Sequence, residues 1–287
     1  MKIKIMVDTS SDISHETAEK YDISVLPILS VFGDKTYDTW NDITNKEFFQ
    51  MLKDSEEIPT TAQTPYTVMR ETLLEAARTY DAVIVFTISS KASGQYSTLN
   101  TVKNDITENE LPDADIRIID TMSFTVLIAQ TAVYASHLAA EGKSADEIEQ
   151  LSKDYLKSWD IAFVVGDLLY LQKGGRISKA VMAIGTLLDI KPVLAIRNGL
   201  IESVDKFRGK KNIPSKLMKK IISDPKFDKE RNEFLVAASD SNMGVEFSAL
   251  LKENNARLTM YGEIGPIIGT HTGEGTLAAF YRIKRNM

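Results

Sequence analysis

The chain contains no cysteine. Disulfides, thiolate zinc sites, iron–sulfur clusters and cysteine nucleophiles are therefore excluded. Histidine is almost as scarce, with only His15, His137 and His271, so a multi-histidine metal site is not expected and no metal is assigned. Proline (8) and glycine (15) are sparse across 287 residues, which rules out a collagen-like or low-complexity chain. Positive charge is in deficit: 34 Lys and Arg face 40 Asp and Glu, a net charge of −6. A nucleic-acid binder would usually carry a basic face and a recognisable docking helix, and neither is evident, so no nucleic-acid partner is expected. The pairs Lys210–Lys211 and Lys219–Lys220 read as the solvated face of one helix.

Long hydrophobic runs are also missing. Met1–Asp8 is too short and too charged for a signal peptide and reads as a first strand. Met122–Ala140 runs 19 residues without Asp, Glu, Lys or Arg, yet polar side chains such as Ser123, Gln130 and Ser136 are spread along it. A membrane span should be more uniformly apolar, so the stretch is expected to be a buried helix, with at most transient membrane contact. A cytoplasmic location is the expectation, and the lack of cysteine fits a reducing compartment.

Familiar catalytic signatures are absent as well. No Gly-x-Gly-x-x-Gly follows the first strand, and there is no Gly-x-x-x-x-Gly-Lys-Ser/Thr, no Gly-x-Ser-x-Gly and no His-Glu-x-x-His. No cofactor is implied.

What is present is an ordinary core-forming composition, 43% hydrophobic and 26% charged. In the first half, apolar runs at Ile3–Val7, Ile23–Phe32, Ala82–Ile88 and Ile116–Ile119 alternate with helical patterns at Ser14–Tyr21, Thr44–Lys53, Tyr66–Tyr80, Gly94–Ile106 and Met122–Ala140. Continuous apolar strands separated by helices predict a mainly parallel sheet covered on both faces. Ligands then bind beyond the carboxyl ends of the strands, where three hydroxyl-rich loops fall: Asp8–Asp12, Ser89–Ser93 and Asp120–Ser123. Each loop alone is also what helix N-capping would produce; together they suggest a binding crevice.

The pattern changes near residue 155. Ile161–Val165 reads as a strand, and Val193–Arg197, Asn198-Gly199 and Leu200–Val204 predict a type I′ hairpin. Strands at Phe234–Ala238 and Arg257–Tyr261 and helices at Lys210–Ile222 and Gly244–Glu253 complete a mixed sheet. The expected fold is α/β with two lobes, residues 1–157 and 158–287. The N-terminal lobe has a mainly parallel sheet with helices on both faces, the C-terminal lobe a mixed sheet with helices, and a ligand lies between them. Four segments rich in hydroxyls, glycines and helix starts, one of them the Ser89 loop again, suit an anion: Pro59–Pro65, Ser89–Gly94, Lys173–Ser178 and Gly265–Gly275.

These segments resemble the DegV family of bacterial fatty-acid-binding proteins. The resemblance is carried by Asp8-Thr9-Ser10-Ser11-Asp12, Pro59-Thr60-Thr61-Ala62-Gln63, Ile88-Ser89-Ser90 with Ser93-Gly94-x-Tyr96, and Tyr170-Leu171-x-Lys173-Gly174-Gly175-Arg176-Ile177-Ser178. Ile190-Lys191-Pro192 and Gly265-Pro266-x-x-Gly269-x-His271-x-Gly273-x-Gly275 complete it, in family order, across one unit spanning about residues 3–283.

The resemblance implies that one long-chain fatty acid is bound between the lobes and its carboxylate presented to a separate fatty acid kinase subunit. The protein would act as a monomeric carrier in lipid metabolism rather than as an enzyme. By motif position Thr61, Ser93, Gly94 and His271 would contact the carboxylate, and Arg176 would serve partner docking or phosphotransfer. Four residues depart from the family pattern. Ala62 stands where Ser is usual, Ala92 replaces Leu, Gln95 replaces Thr, and Glu274 replaces Pro. The alternative reading is a small-molecule enzyme acting on an organic acid or phosphate, with His271 and Asp8 or Asp120 as acid and base.

Overall fold

The computed structural model describes residues 1–177, 190–209 and 211–284. Ser178 and Lys210, named above, lie outside the described residues. The first half builds a parallel sheet from β1 (Ile3–Asp8), β2 (Ile23–Leu26), β6 (Ala82–Thr87) and β7 (Asp115–Asp120), in the order β2-β1-β6-β7. Because successive strand residues face opposite sides, each strand feeds two cores. Met6, Val83 and Val85 pack against α3 (Tyr66–Thr79) and α4 (Gln95–Asn109). Ile5, Val7, Ile84 and Phe86 face the other way, toward α5 (Val126–Ala140) and α6 (Ala145–Lys157).

The second half forms a six-stranded mixed sheet, order β10-β9-β8-β13-β11-β12. Its strands are β8 (Trp159–Val164), β9 (Ile190–Arg197), β10 (Leu200–Arg208), β11 (Glu233–Ala238), β12 (Arg257–Glu263) and β13 (Leu277–Arg282). β11 and β12 pair in parallel and the other pairings are antiparallel. One face packs on α8 (Ile213–Ile222) and α9 (Ser241–Glu253) through Leu217, Phe247, Phe234 and Val236. The opposite face presents Ile161, Phe163, Leu235 and Phe280 to the same core that holds α5.

That shared core explains the charge-free run. In α5, nine of the fifteen helical residues are buried, because sheets lie on both sides and a helix so placed must be apolar nearly all round. Among the described residues no helix is long and apolar enough to cross a membrane. The helix begins at Val126, and Met122–Thr125 forms the loop before it.

Three features of the structure differ from the sequence reading. The run Ile23–Phe32 is two strands rather than one. Pro27, which lacks an N–H, divides β2 from β3 (Leu29–Phe32), and β3 joins a small antiparallel sheet with β4 (Lys35–Asp38) and β5 (Thr60–Ala62). The link is held by hydroxyls: Ile28 N donates to Thr9 Oγ1 (3.0 Å) and Thr64 Oγ1 to the Pro27 carbonyl (2.8 Å). Second, α6 and β13 emerge as full elements that the sequence did not signal. β13 sits in the middle of the mixed sheet, and its Leu-Ala-Ala-Phe-Tyr-Arg run fits either a strand or a helix by pattern. Third, α10 (Pro266–Thr272) turns the glycine-rich carboxyl segment into a short helix.

The Asn198-Gly199 hairpin forms as expected, with φ of 51° and 78° at the two turn residues. Close backbone contact is critical elsewhere, at Gly166. A Cβ there would lie 1.8 Å from the Glu274 carbonyl oxygen, so the loop after β8 touches the loop before β13 directly. Gly166→Ala is expected to cost about 2–3 kcal/mol, read as a lowered urea midpoint with an unchanged slope.

Candidate functional site

Between the two sheets lies a cavity of about 280 Å³. One end is polar and is built from four separate parts of the chain. Thr61 comes from β5 of the small sheet, Ser93 and Gly94 from the loop that starts α4, Arg176 from the turn after α7 (Leu168–Lys173), and His271 from α10. Most of the remaining wall is apolar, including Ile28, Ile88, Phe124, Phe163, Ile196 and Ile268, with Gln63, Thr125, Thr272 and Thr276 also lining it. All five residues named from the sequence therefore line one cavity.

The strand geometry of β5 determines which hydroxyl reaches it. Side chains alternate along a strand, so Thr61 turns inward while Thr60 and Ala62 are exposed. Ala62 does not line the cavity, and the hydroxyl missing at that position is lost from the solvent side. Ala92 does line it. Gln95 is fully buried and structural: its Oε1 accepts from Thr64 N (3.2 Å) and its Nε2 donates to Thr64 Oγ1 (2.8 Å). Glu274 is exposed and points away from the cavity.

Thr61 Oγ1 and His271 Nε2 are 3.0 Å apart. Among the described residues His271 Nδ1 is buried without a partner; it faces Gly174, where a Cβ would come within 2.3 Å of it. Burial, reinforced by the charge of Arg176, pushes the His271 pKa down to about 4, so the ring is neutral at pH 7. Ser93 Oγ accepts a hydrogen bond from Gln95 N (3.2 Å). It thus serves the start of α4 as a capping residue would, and a hydroxyl that accepts can still donate. The Arg176 guanidinium is half-buried. It donates to the carbonyls of Ala92 (3.1 Å) and Gly174, and burial lowers its pKa, although a guanidinium remains charged at any physiological pH.

The three hydroxyl-rich loops do not converge as one crevice. Ser89–Ser93 contributes Ala92 and Ser93 to the cavity, but neither Asp8 nor Asp120 lines it. Asp8–Asp12 is instead a structural knot. Asp8 accepts from Ile88 N (3.0 Å), Ser10 N (3.1 Å) and the Ser10 hydroxyl, and so joins the ends of β1 and β6. Asp12 accepts from Gly265 N (2.9 Å), which ties the knot to the residue that starts α10. Asp120 accepts from Ser90 N (3.1 Å) and Met122 N (2.9 Å). An acid–base pair of His271 with Asp8 or Asp120 therefore has no geometric basis. Lys191, from the Ile190-Lys191-Pro192 motif, donates to the carbonyls of Val165 (2.8 Å) and Gly166.

Sequence reasoning missed the apolar wall. Ile28, Phe124 and Ile161 look like any core residue; of the apolar lining, Ile88 and Leu171 are named motif residues, and Ile267 and Ile268 sit at unspecified positions inside a motif. Gln63 was in a motif but had no assigned role; it lines the polar end and accepts from Thr98 Oγ1 (3.0 Å).

Burial raises the carboxyl pKa to about 6 at Asp8 and about 7 at Asp12. A free aspartate titrates near 3.9, so the folded chain holds a proton on Asp12 that the unfolded chain has already lost. Stability from this group is greatest at low pH and declines as pH rises from about 4 to 7. Asp12→Asn keeps the acceptor for Gly265 N without the charge. It is expected to gain on the parent by roughly 1–2 kcal/mol between pH 5 and pH 8, measured by urea unfolding at both.

Comparison with known proteins places this geometry in context. Residues 2–284 match the family described as "Uncharacterised protein, DegV family". A DegV domain-containing protein of Clostridium perfringens is 28% identical, covering 98% of this chain and 99% of its own. A stearic-acid-binding protein from Eubacterium ventriosum superposes with a TM-score of 0.87 at 27% identity, with 98% of each chain covered. The DegV fatty-acid-binding protein of Bacillus subtilis gives 0.83 at 27% identity, covering 99% of this chain and all of its own.

Proposed function

Because the chain belongs to the DegV family, we propose that it binds one long-chain fatty acid between its two halves, taken as lobes 1–157 and 158–287. The carboxylate would lie at Thr61, Ser93, Gly94 and His271, with the acyl tail along the apolar wall. The observation that carries this reading is the polarity of the cavity: hydroxyl donors, an uncharged imidazole and the Arg176 guanidinium gathered at one end of a space whose remaining wall is mostly isoleucine and phenylalanine. The relatives described as fatty-acid-binding proteins support it.

The chemistry is consistent with a carrier. A carboxylate taken out of water needs several hydrogen bonds or it protonates. With Nε2–H of neutral His271 donating to Thr61 Oγ1, the Thr61 proton is left for one ligand oxygen, and the Ser93 proton serves the other. Neutral donors hold an anion less firmly than a guanidinium fork, which suits a cargo that must react and leave. Tail burial supplies the affinity: at about 0.8 kcal/mol per CH₂, ~16 carbons contribute roughly 12 kcal/mol before the costs of association.

The carrier would present its cargo, in the cytoplasm, to a separate fatty acid kinase subunit. A carboxylate oxygen would attack the γ-phosphorus of ATP to give acyl phosphate and ADP. Arg176, cationic and beside the polar end, is assigned to the phosphotransfer step or to partner docking. The carrier contributes no catalytic residue of its own and works as a monomer.

The Thr61→Ala, Ser93→Ala double variant is expected to keep its circular-dichroism spectrum and melting profile and to lose at least tenfold in copurifying fatty acid by native mass spectrometry. Unchanged lipid content would count decisively against the site. Arg176→Ala is expected to retain lipid yet lose most acyl-phosphate formation when mixed with kinase subunit and ATP. Equal turnover by parent and variant would remove Arg176 from the reaction.

A further inference from the structure

The hairpin that passes beside the cavity is anchored in an unusual way. Ile196 and Ile201 face each other across β9 and β10, and both line the cavity. Ile196 also lines a cleft of about 440 Å³ and Ile201 one of about 430 Å³, the two clefts sharing Gly199 of the turn. Among the described residues, one pair of strands separates the cavity from these clefts at this point.

β10 is the edge strand of its sheet. β9 is registered to β8 at Phe163–Leu194, well behind the turn, and Arg197 pairs with Asp160 of β8 (2.6 Å). The tip itself leaves its own sheet and crosses to the other half of the molecule. Gly199, although at a hairpin tip, is buried. Its carbonyl accepts a hydrogen bond from Ser89 Oγ (2.8 Å), 110 residues away. A Cβ at Gly199 would meet Ser89 Oγ at 2.5 Å and Met122 Sδ at 2.9 Å, so a side chain here must displace those two ends, at a positive φ that favours glycine.

Ser89 has a second task. Its carbonyl accepts from Ala92 N (3.0 Å) and Ser93 N (3.2 Å), which shapes the loop that carries Ser93. One residue therefore holds both the hairpin tip and a polar-end hydroxyl.

We infer that the Asn198–Gly199 tip is a flap over the cavity, latched shut by the Ser89 hydroxyl, and that the lipid enters and leaves beneath it. The inference rests on the fatty-acid reading above and assigns the route by which that ligand exchanges. Because the latch and the Ser93 loop share Ser89, capture of the carboxylate and closure of the flap reinforce each other. Opening breaks the Ser89–Gly199 hydrogen bond and the Arg197–Asp160 ion pair and separates Ile196 and Ile201 from the tail, while the pairing at Leu194 stays intact as the hinge.

The absence of cysteine makes a direct test clean. In Ser89→Cys, Gly199→Cys the two positions are close enough for a disulfide. The full chain is loaded with palmitate and challenged with excess deuterated palmitate, and exchange is followed by native mass spectrometry. Exchange is expected to slow at least tenfold in the oxidised protein and to recover on reduction. Ser89→Ala, which removes the latch together with the hydrogen bond that Lys91 N donates to Ser89 Oγ (3.2 Å), should exchange about three- to tenfold faster, the worth of the neutral bond across to Gly199. If the positive-φ substitution at 199 prevents folding, Ser89→Ala decides alone. Equal rates in the oxidised and reduced forms, or a parental rate in Ser89→Ala, would overturn the flap and leave the fatty-acid site standing. A parent protein that takes up no palmitate would overturn both.

Discussion

The hydrogen bond between Thr61 and His271 joins side chains 210 positions apart, and several things must hold before it can form. β5 must pair with β3 so that Thr61 faces inward, and α10 must start where Asp12 receives Gly265 N. The ring must also sit deep enough to lose its charge. Desolvation, more than any ion pair, sets the chemistry of this polar end. It neutralises His271 and leaves the hydroxyls of Thr61 and Ser93, with the guanidinium of Arg176, as the polar groups of this end.

The same constraint operates in the buried acids of the first loop. Asp8 and Asp12 sit where water does not compensate their charge, and their pKa values rise to about 6 and 7. Their hydrogen bonds to Ile88 N and Gly265 N fasten the ends of β1, β6 and the start of α10 to one another. The cavity thus has buried carboxyl joints on one side and, on the other, an attachment at the Asn198–Gly199 tip through Ser89 Oγ and the Arg197–Asp160 pair.

Departures from the family pattern separate according to which way each side chain points. Ala62, one strand position past Thr61, faces solvent, and Glu274 is exposed. Gln95 has become part of the buried scaffold through its bonds to Thr64. Ala92 alone among the four lies on the cavity wall, where a smaller side chain changes the shape offered to a ligand rather than its charge.

Much of the architecture was legible in the residues. Alternating apolar strands and helices marked the parallel sheet, Asn198-Gly199 marked the hairpin, and the charge-free run of α5 marked a helix buried between layers. Local periodicity and turn chemistry carry that information, because they act within a few residues. The motifs carrying Thr61, Ser93, Arg176 and His271 were visible too. That these side chains line one cavity, that Asp8 and Asp120 stay outside it, and that Ile28 and Ile161 wall it were settled only when the two sheets closed on α5. Burial and hydrogen-bond partners are properties of distances between remote segments, and no single stretch of chain encodes them.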